Sequence, residues 1–380
     1  MYAQLRAKGP VHRIHVPESG DCWLVVTRDA ARAALTDPRL RNDIAYSSSW
    51  RTDGGHAIGR NMLQSDPPQH TRLRRLVASH FTAGRVTALH PRIEALADGL
   101  LAALPSSGTV DIVSRYALPL PVSVICEIMG VPASAHGTFH TFSNELVLPT
   151  SPEAGAAASA QLEACIRELI AQKAAAPDGT LLSDLAQAAA QPDSLTPQEL
   201  SGMVFLLLVA GHETTVSLIS AAMYALLTHP EQLALLRADP ALLAPTVEEA
   251  LRFHTPVHAT AFRFAAAPLD LSGTPIAAGD SVLVSLAAAS RDPLHFTAPD
   301  RFDIRRQQVS HLGFGHGLHH CLGAPLARAE TAIALRRLLA HHATIELATD
   351  PAALTWRTST LLRSLTDLPV RLARRRGTTA

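Results

Sequence analysis

The stretch "HLGFGHGLHHCLGAPLARAE" at residues 311–330 places one cysteine, Cys321, among glycines and histidines just ahead of a helix-forming run. Four chemistries suit a thiol so placed: a zinc ligand, a redox thiol, an inert core cysteine, or a sulfur ligand to haem iron. Zinc would have to draw on His316, His319, His320 and Cys321. Four ligands within six residues hardly surround one tetrahedral ion, and no second cluster completes the set. An inert buried thiol is the commonest fate of a lone cysteine, yet a core position does not require glycines at 313, 315, 317 and 323. Those glycines let the backbone approach something flat and bulky. A helix beginning after Cys321 has Pro325 in its first turn and Leu326, Ile333 and Leu338 near one face. Its unpaired N–H groups and positive dipole end favour thiolate.

A second candidate is "LLLVAGHETTVSLIS", an apolar rod interrupted by Gly211, His212, Glu213, Thr214 and Thr215. A mid-length carboxylate argues against a membrane span. Two readings remain: a buried glutamate in an ion pair, or an acid beside a hydroxyl that passes protons into a dry cavity, with Gly211 loosening the helix to make room. Three further features are "EEALRFHTP", where Glu249 and Arg252 share a face at i, i+3; "HTRLR", where His70 and Arg74 share one at i, i+4; and Arg263 inside an apolar strand. A buried arginine needs an anion, although each of these residues, taken singly, also reads as an ordinary solvated or paired side chain.

The elements that must position these residues are mostly helical. The clearest start is "TPQE", with Thr196 as N-cap, Pro197 at the first position and Glu199 closing a capping box. That helix is expected to run about 30 residues, to His229-Pro230. Residues 85–250 look helical, with breaks at Pro105, Pro132, Pro149 and Pro192. "DPPQHTRLRRLVASHF" reads as a helix with prolines in its first turn. "VHRIHVPESGDCWLVV" reads as a hairpin, and "RDAARAALTDPRL" as a helix stopped at Asp37-Pro38. Residues 41–65 show no periodicity, as in either a mobile connection or a ligand-covering loop. After Pro256, "TAFRFA", "LDLSGTPI", "DSVLVSL", "TIEL" and "LPVRL" have strand character. The expected fold class is mainly α with a minor β portion.

The chain has 380 residues, 47% hydrophobic and 17% charged, with zero formal net charge. It is long enough for a large core, and nothing overall recruits nucleic acid or an anionic membrane. The 33 basic residues include only Lys8 and Lys173 as lysines. Cys22, Cys126, Cys165 and Cys321 are scattered, which indicates no disulfide framework. "MYAQLRAKGPVHRI" has no run that exports or anchors a chain, so a soluble cytoplasmic protein is expected.

Together these stretches resemble the cytochrome P450 family, the haem-thiolate monooxygenases, in their soluble bacterial form. "FGHGLHHCLG" matches F-x-x-G-x-x-x-C-x-G; "AGHETT" matches the acid–threonine motif of the long distal helix; Glu249-x-x-Arg252 is followed by "PDRF" at 299–302; and "DPPQHTRLRR" lies at 66–75. The resemblance runs from "YAQLRAKGPV" to "LPVRL". It implies one cytochrome P450 domain over 1–380, with a β-rich lobe near 8–45 and 256–300 and a helical lobe holding haem b. It implies Cys321 as the iron ligand, in a loop where Phe314, Gly315 and Gly323 meet the haem together with Ala210. His70, Arg74, Arg263 and His319 would hold the propionates, and Arg301 would join the Glu249–Arg252 pair. Glu213 and Thr214 would deliver protons for O2 cleavage. Leu63, Leu206, Val209, Ala210, Ala259, Ala261 and the turn at Thr360 would line a roomy apolar pocket.

Two departures stand out. His320 precedes the ligand where relatives often have an apolar or aromatic residue. Many members also carry a longer leader, so the first residues here are expected to pack less firmly. The implied reaction is hydroxylation or epoxidation of a bulky lipophilic molecule (macrolide, other polyketide, terpenoid or steroid), closest in motif to secondary-metabolite tailoring members. Electrons would come from NAD(P)H through a ferredoxin or flavodoxin and its reductase. Arg72, Arg75, Arg328, Arg336 and Arg337 would form the docking face of a monomer. A peroxide-driven peroxygenase and a non-catalytic gas-binding haem protein are the alternatives.

Overall fold

Thr196 caps the longest helix as its sequence predicts. Its hydroxyl accepts from the Glu199 N–H at 3.1 Å, and the Glu199 carboxylate accepts from the Thr196 N–H at 3.0 Å. In the computed structural model this helix runs Pro197–Thr228, 32 residues, or about 48 Å at 1.5 Å per residue. Among the described residues it is the one helix long and apolar enough to cross a bilayer, but 72% of its apolar window is buried in protein. Apolar on nearly every face, it is the central rod of the core. Pro119–Met129, Pro152–Ala175, Leu243–Phe253 and Ala324–His341 pack against it, and Ala83–Ala102 lies along Ala324–His341.

The described residues are 1–17, 20–49, 59–147, 150–191, 194–307 and 310–374. The expected breaks at Pro149 and Pro192, residues 18–19 of the hairpin turn and residues 50–58 of the 41–65 connection lie outside them. The protein is 57% helix and 14% strand, mainly α with a minor β portion.

Two expectations about helices need correction. Pro67 and Pro68 precede the Gln69–Ala78 helix, with Pro68 as its N-cap, and do not occupy its first turn. Gly211 does not open room for a ligand. The helix is continuous through it, and a Cβ there would sit 2.6 Å from Ile125 Cγ1. Its small size seats the Pro119–Met129 helix against the long one.

The predicted hairpin pairs Val11–Val16 with Gly20–Val25. Gly20–Val25 then pairs in parallel with Ser281–Val284, which pairs antiparallel with Arg263–Ala265, and that strand with Leu40–Arg41. Alternation along the inner strands feeds two cores. Val25, Val282 and Val284 meet the Arg28–Thr36 helix through Ala30, Ala34 and Leu35. Leu24 and Leu283 meet Val16, Cys22, Val26 and Ala259 on the opposite face. A second sheet joins His342–Leu347, Pro369–Arg374 and a strand at Ser107–Asp111, a stretch the sequence reads as helical. At the amino end, Tyr2–Lys8 buries no residue fully. It is held by the Tyr2 hydroxyl on the His258 ring and by Arg6 Nη1 donating to the Ala288 carbonyl at 2.9 Å.

Candidate active site

Of the four cysteines, Cys321 is exposed, whereas Cys22 and Cys126 are buried and Cys165 half-buried. Burial pushes Cys22 up to about 11 and Cys126 up to about 12. Surrounding protein also raises Cys321, but there the N–H groups of Gly323 and Ala324 and the charges of Arg74 and Arg328 oppose the rise. The Cys321 N–H donates to the Phe314 carbonyl at 2.9 Å, which closes the loop. Ala324–His341 starts three residues later with Gly323 as N-cap. Gly315 and Gly317 need glycine for their own backbone, at φ +71° and +73°. Gly323 does not: its φ is −80°, and a Cβ would meet no protein atom within 4 Å. The surrounding chain gives no reason for glycine there; a flat group lying over the loop does.

Four basic side chains from three elements converge near the thiol. His70 and Arg74 come from Gln69–Ala78, Arg263 from its strand, and His319 from the turn before Cys321. The His70 and His319 rings are 4.4 Å apart. Both ring nitrogens of His70, His319 Nε2 and Arg263 Nε are buried without a hydrogen bond. Arg74 Nη2 donates to the His320 carbonyl at 2.8 Å, and Arg263 Nη1 to that of Leu40 at 3.3 Å. Burial, with Arg263, His70 and Arg74 nearby, pushes His319 down to about 3, and burial brings Arg263 down to about 10. Buried basic nitrogens without hydrogen-bond partners, with histidines that only an anion would bring back toward the charged form, are a site built for an anion.

On the long helix, Ala210 is exposed and Thr214 half-buried, while Glu213 is 6% exposed. Thr214 Oγ1 donates to the Ala210 carbonyl at 3.2 Å. Glu213 turns the other way, toward His212 and His140. Burial raises its pKa, but His212, His140 and Arg357 outweigh that and hold it below the usual carboxylate range.

A family model described as cytochrome P450 matches residues 134–351. The monooxygenase PikC of Streptomyces venezuelae is 47% identical over 378 residues, which cover 99% of this chain and 91% of that protein. This chain belongs to the cytochrome P450 family. Other members similar to it are the vitamin D(3) 25-hydroxylase of Pseudonocardia autotrophica, 43% identical over 98% of this chain and 93% of that one, and the tirandamycin C-bound monooxygenase TamI. The TamI structure superposes with a TM-score of 0.93 at 42% identity, covering 98% of this chain and 96% of that one. The chain is a P450 monooxygenase, and the family's chemistry uses haem on a cysteine thiolate with O2.

The residues present fit that group. An exposed thiol faces helix N–H groups, glycine stands where nothing in the chain demands it, and buried basic nitrogens without hydrogen-bond partners lie where carboxylates would satisfy them. Behind the loop, Arg252 and Glu249 are 1% exposed and bonded twice, at 2.7 and 2.8 Å. The third member is not the Arg301 side chain. Arg301 is exposed and contributes its carbonyl to Arg252 at 3.0 Å, while Arg306 Nε reaches Glu249 at 3.0 and 3.2 Å. A neighbouring clamp also escaped the sequence. Glu248 accepts two bonds from Arg328, at 2.6 and 3.0 Å, and one from His311 at 3.2 Å, and the Arg328 guanidinium lies 4.5 Å over the Phe314 ring. Burial opposes ionisation of Glu248, but His311 and Arg328 bring it down to about 2.

Among the pocket residues, Leu63 (39%) and Thr360 are exposed and Ala261 half-buried. Ala259 is 2% exposed inside the sheet's apolar core, and Leu206 is 9% exposed; Ala259 therefore packs the fold and does not line a pocket. Val209 borders a water-sized cavity of about 10 Å³ between helices, with Ile125, His140 and His212. Four of the five arginines expected on the docking face have acid partners within the chain. Arg72 pairs with Glu199, Arg328 with Glu248, Arg336 with Glu94 and Arg337 with Asp98. Of the five, only Arg75 is without an acid partner among the described residues.

Proposed function

We propose that this P450 inserts one oxygen atom of O2 into a bulky lipophilic small molecule of the polyketide, macrolide, terpenoid or steroid class. Electrons come from NAD(P)H through a ferredoxin or flavodoxin and its reductase, in the cytoplasm, with the chain acting as a monomer. The observation that carries the reading is the pairing of one exposed thiol, Cys321, with buried nitrogens of His70, Arg263 and His319 that lack hydrogen-bond partners. Haem held there supplies O2 activation and oxygen transfer to carbon.

Cys321 would hold the iron through sulfur, and the N–H groups of Gly323 and Ala324 would moderate its negative charge. His70, Arg74, Arg263 and His319 would hold the propionates. Exposed Ala210 would meet the haem from the long helix. Thr214, whose Oγ1 donates to the Ala210 carbonyl, would turn that hydroxyl to the reaction space, and Glu213, held below the usual carboxylate range by His212, His140 and Arg357, would turn from His212 to resupply it with protons. Exposed Leu63 and half-buried Ala261 bring apolar surface to the substrate. The named substrate of one relative, vitamin D(3), and the ligand named for another, tirandamycin C, support a bulky lipophilic class, as does the presence of macrolide- and polyketide-tailoring enzymes among the near relatives.

The test is a titration of the loaded protein with macrolactones, linear polyketides, terpenoids and steroids while the iron spin state is followed. A saturable shift with at least one of these classes is expected. A response only to small polar ligands contradicts the assignment.

A further inference from the structure

Glu213 sits in a second arrangement that proton delivery does not require. Its Oε1 is buried without a hydrogen bond, and the His212 Nε2 lies 3.3 Å away. His212 Nδ1 is 2.7 Å from the Leu208 carbonyl. A carbonyl only accepts, so Nδ1 carries a hydrogen and Nε2 is the nitrogen that faces both Glu213 and the Ser143 hydroxyl. An imidazole nitrogen and a carboxylate oxygen facing each other in a buried site can share a cation, either a proton or a metal ion. His140, from the helix His136–Val147, brings a third donor. Its ring stands edge-on to His212 with centroids 5.9 Å apart, and its Nδ1 is buried and unpartnered.

We propose that His140, His212 and Glu213 form a binding site for one divalent transition-metal ion of the zinc class, on the side of the long helix facing His136–Val147. Their ligand atoms lie within 4.8 Å of one another. A tetrahedral ion with bonds of about 2.0–2.2 Å sets ligands about 3.3 Å apart, so side-chain torsions must close the group by roughly 1.5 Å. His140 is half-buried and has that freedom. The Leu208 carbonyl on Nδ1 is the outer partner that fixes a metal-ligating imidazole. The water-sized cavity bordered by His140, Ser143 and His212 supplies the fourth position. Ser143 Oγ, 3.1 Å from His212 Nε2, is displaced on binding.

Arg357 is the opposing charge. Its field reaches both Glu213 and His140, while its Nη1 is tied to Asn144 Oδ1 at 2.7 Å. Removing it therefore tightens metal binding, whereas removing a ligand loosens it. The inference does not depend on the proposed substrate or on turnover. A metal held at Glu213 would in addition take that acid out of proton exchange.

The experiment is calorimetric titration of the haem-loaded protein with Zn²⁺ alone, with haem content and thermal midpoint confirming that each variant is folded. Wild type is expected to bind one Zn²⁺ per chain. Affinity is expected to fall at least tenfold in His140→Gln, and likewise in His212→Gln, and to rise in Arg357→Gln. Because His212 is deeply buried, the half-buried His140 variant decides the matter if the other fails to fold. Absence of stoichiometric zinc binding, or equal affinity in wild type and His140→Gln, overturns the site.

Discussion

Arg306 Nε lies 3.0 Å from Glu249 Oε2 and 3.2 Å from Oε1, across 57 residues of chain. With Arg252 it gives Glu249 two guanidinium partners, and the Asp303 N–H adds a bond at 2.9 Å. Arg306 also donates to the carbonyls of Thr297, Ala298 and Arg301. One buried carboxylate thus ties the Leu243–Phe253 helix to the irregular 297–306 segment that leads into the Cys321 loop.

Removing one partner of a buried ion pair leaves an uncompensated charge and costs about 3–5 kcal/mol. Arg252→Ala should lose stability of that order, and Arg306→Ala somewhat less because Arg252 remains. Arg301→Ala should stay within about 0.5 kcal/mol, since only its backbone carbonyl serves the network. Denaturant unfolding of the three variants checks the ranking. Equal losses for Arg301→Ala and Arg306→Ala would refute it.

Glu248 makes a pH-dependent contribution. Its side chain is 21% exposed, and its folded pKa is about 2 against an ordinary 4.5. A depressed carboxylate stabilises the fold above its unfolded pKa, and that stability is lost as pH falls from about 4.5 toward 2. The shift corresponds to about 3 kcal/mol. Glu248→Gln should be destabilised at pH 7 by an amount of that order, with a gap to wild type that closes toward pH 2. Unfolding free energies measured from pH 7 to pH 3 check it.

Gly211→Ala forces a Cβ to within 2.6 Å of Ile125. Overpacking of this kind costs about 1–3 kcal/mol. The double variant Gly211→Ala/Ile125→Ala should recover part of the lost thermal midpoint relative to Ile125→Ala. A fully additive pair would mean that the two helices do not meet there.

Thr214→Ala removes the only hydroxyl assigned to proton supply beside the exposed Ala210. Reductant should still be consumed, with peroxide becoming the larger share of the output and product the smaller. The ratio of product to NAD(P)H oxidised reads this directly.

Local rules wrote much of this fold into the sequence. The capping box at Thr196, the first hairpin and the cysteine loop depend on residues within a few positions of each other, and the structure forms them. Contacts made by loop residues or across helices were not legible. Arg306 lies in a segment with no periodicity to orient it. Arg301, in a familiar-looking motif, contributes a carbonyl that sequence cannot distinguish from a side chain. His140 meets Glu213 only because two helices cross, and Ser107–Asp111 becomes a strand because Pro369–Arg374 offers it an edge. The ion pairs of Arg72, Arg328, Arg336 and Arg337 were hidden for a related reason: arginines on helices show their charge in the sequence, but their acidic partners sit on other elements.

The thiolate assignment has one direct measurement, the spectrum of reduced protein under carbon monoxide for wild type and Cys321→Ser. Wild type should give the red-shifted band of a thiolate-ligated haem, and the serine variant should lose that band whatever haem it retains. An unchanged thiolate band in Cys321→Ser would place the iron on a different residue and contradict the account at its centre.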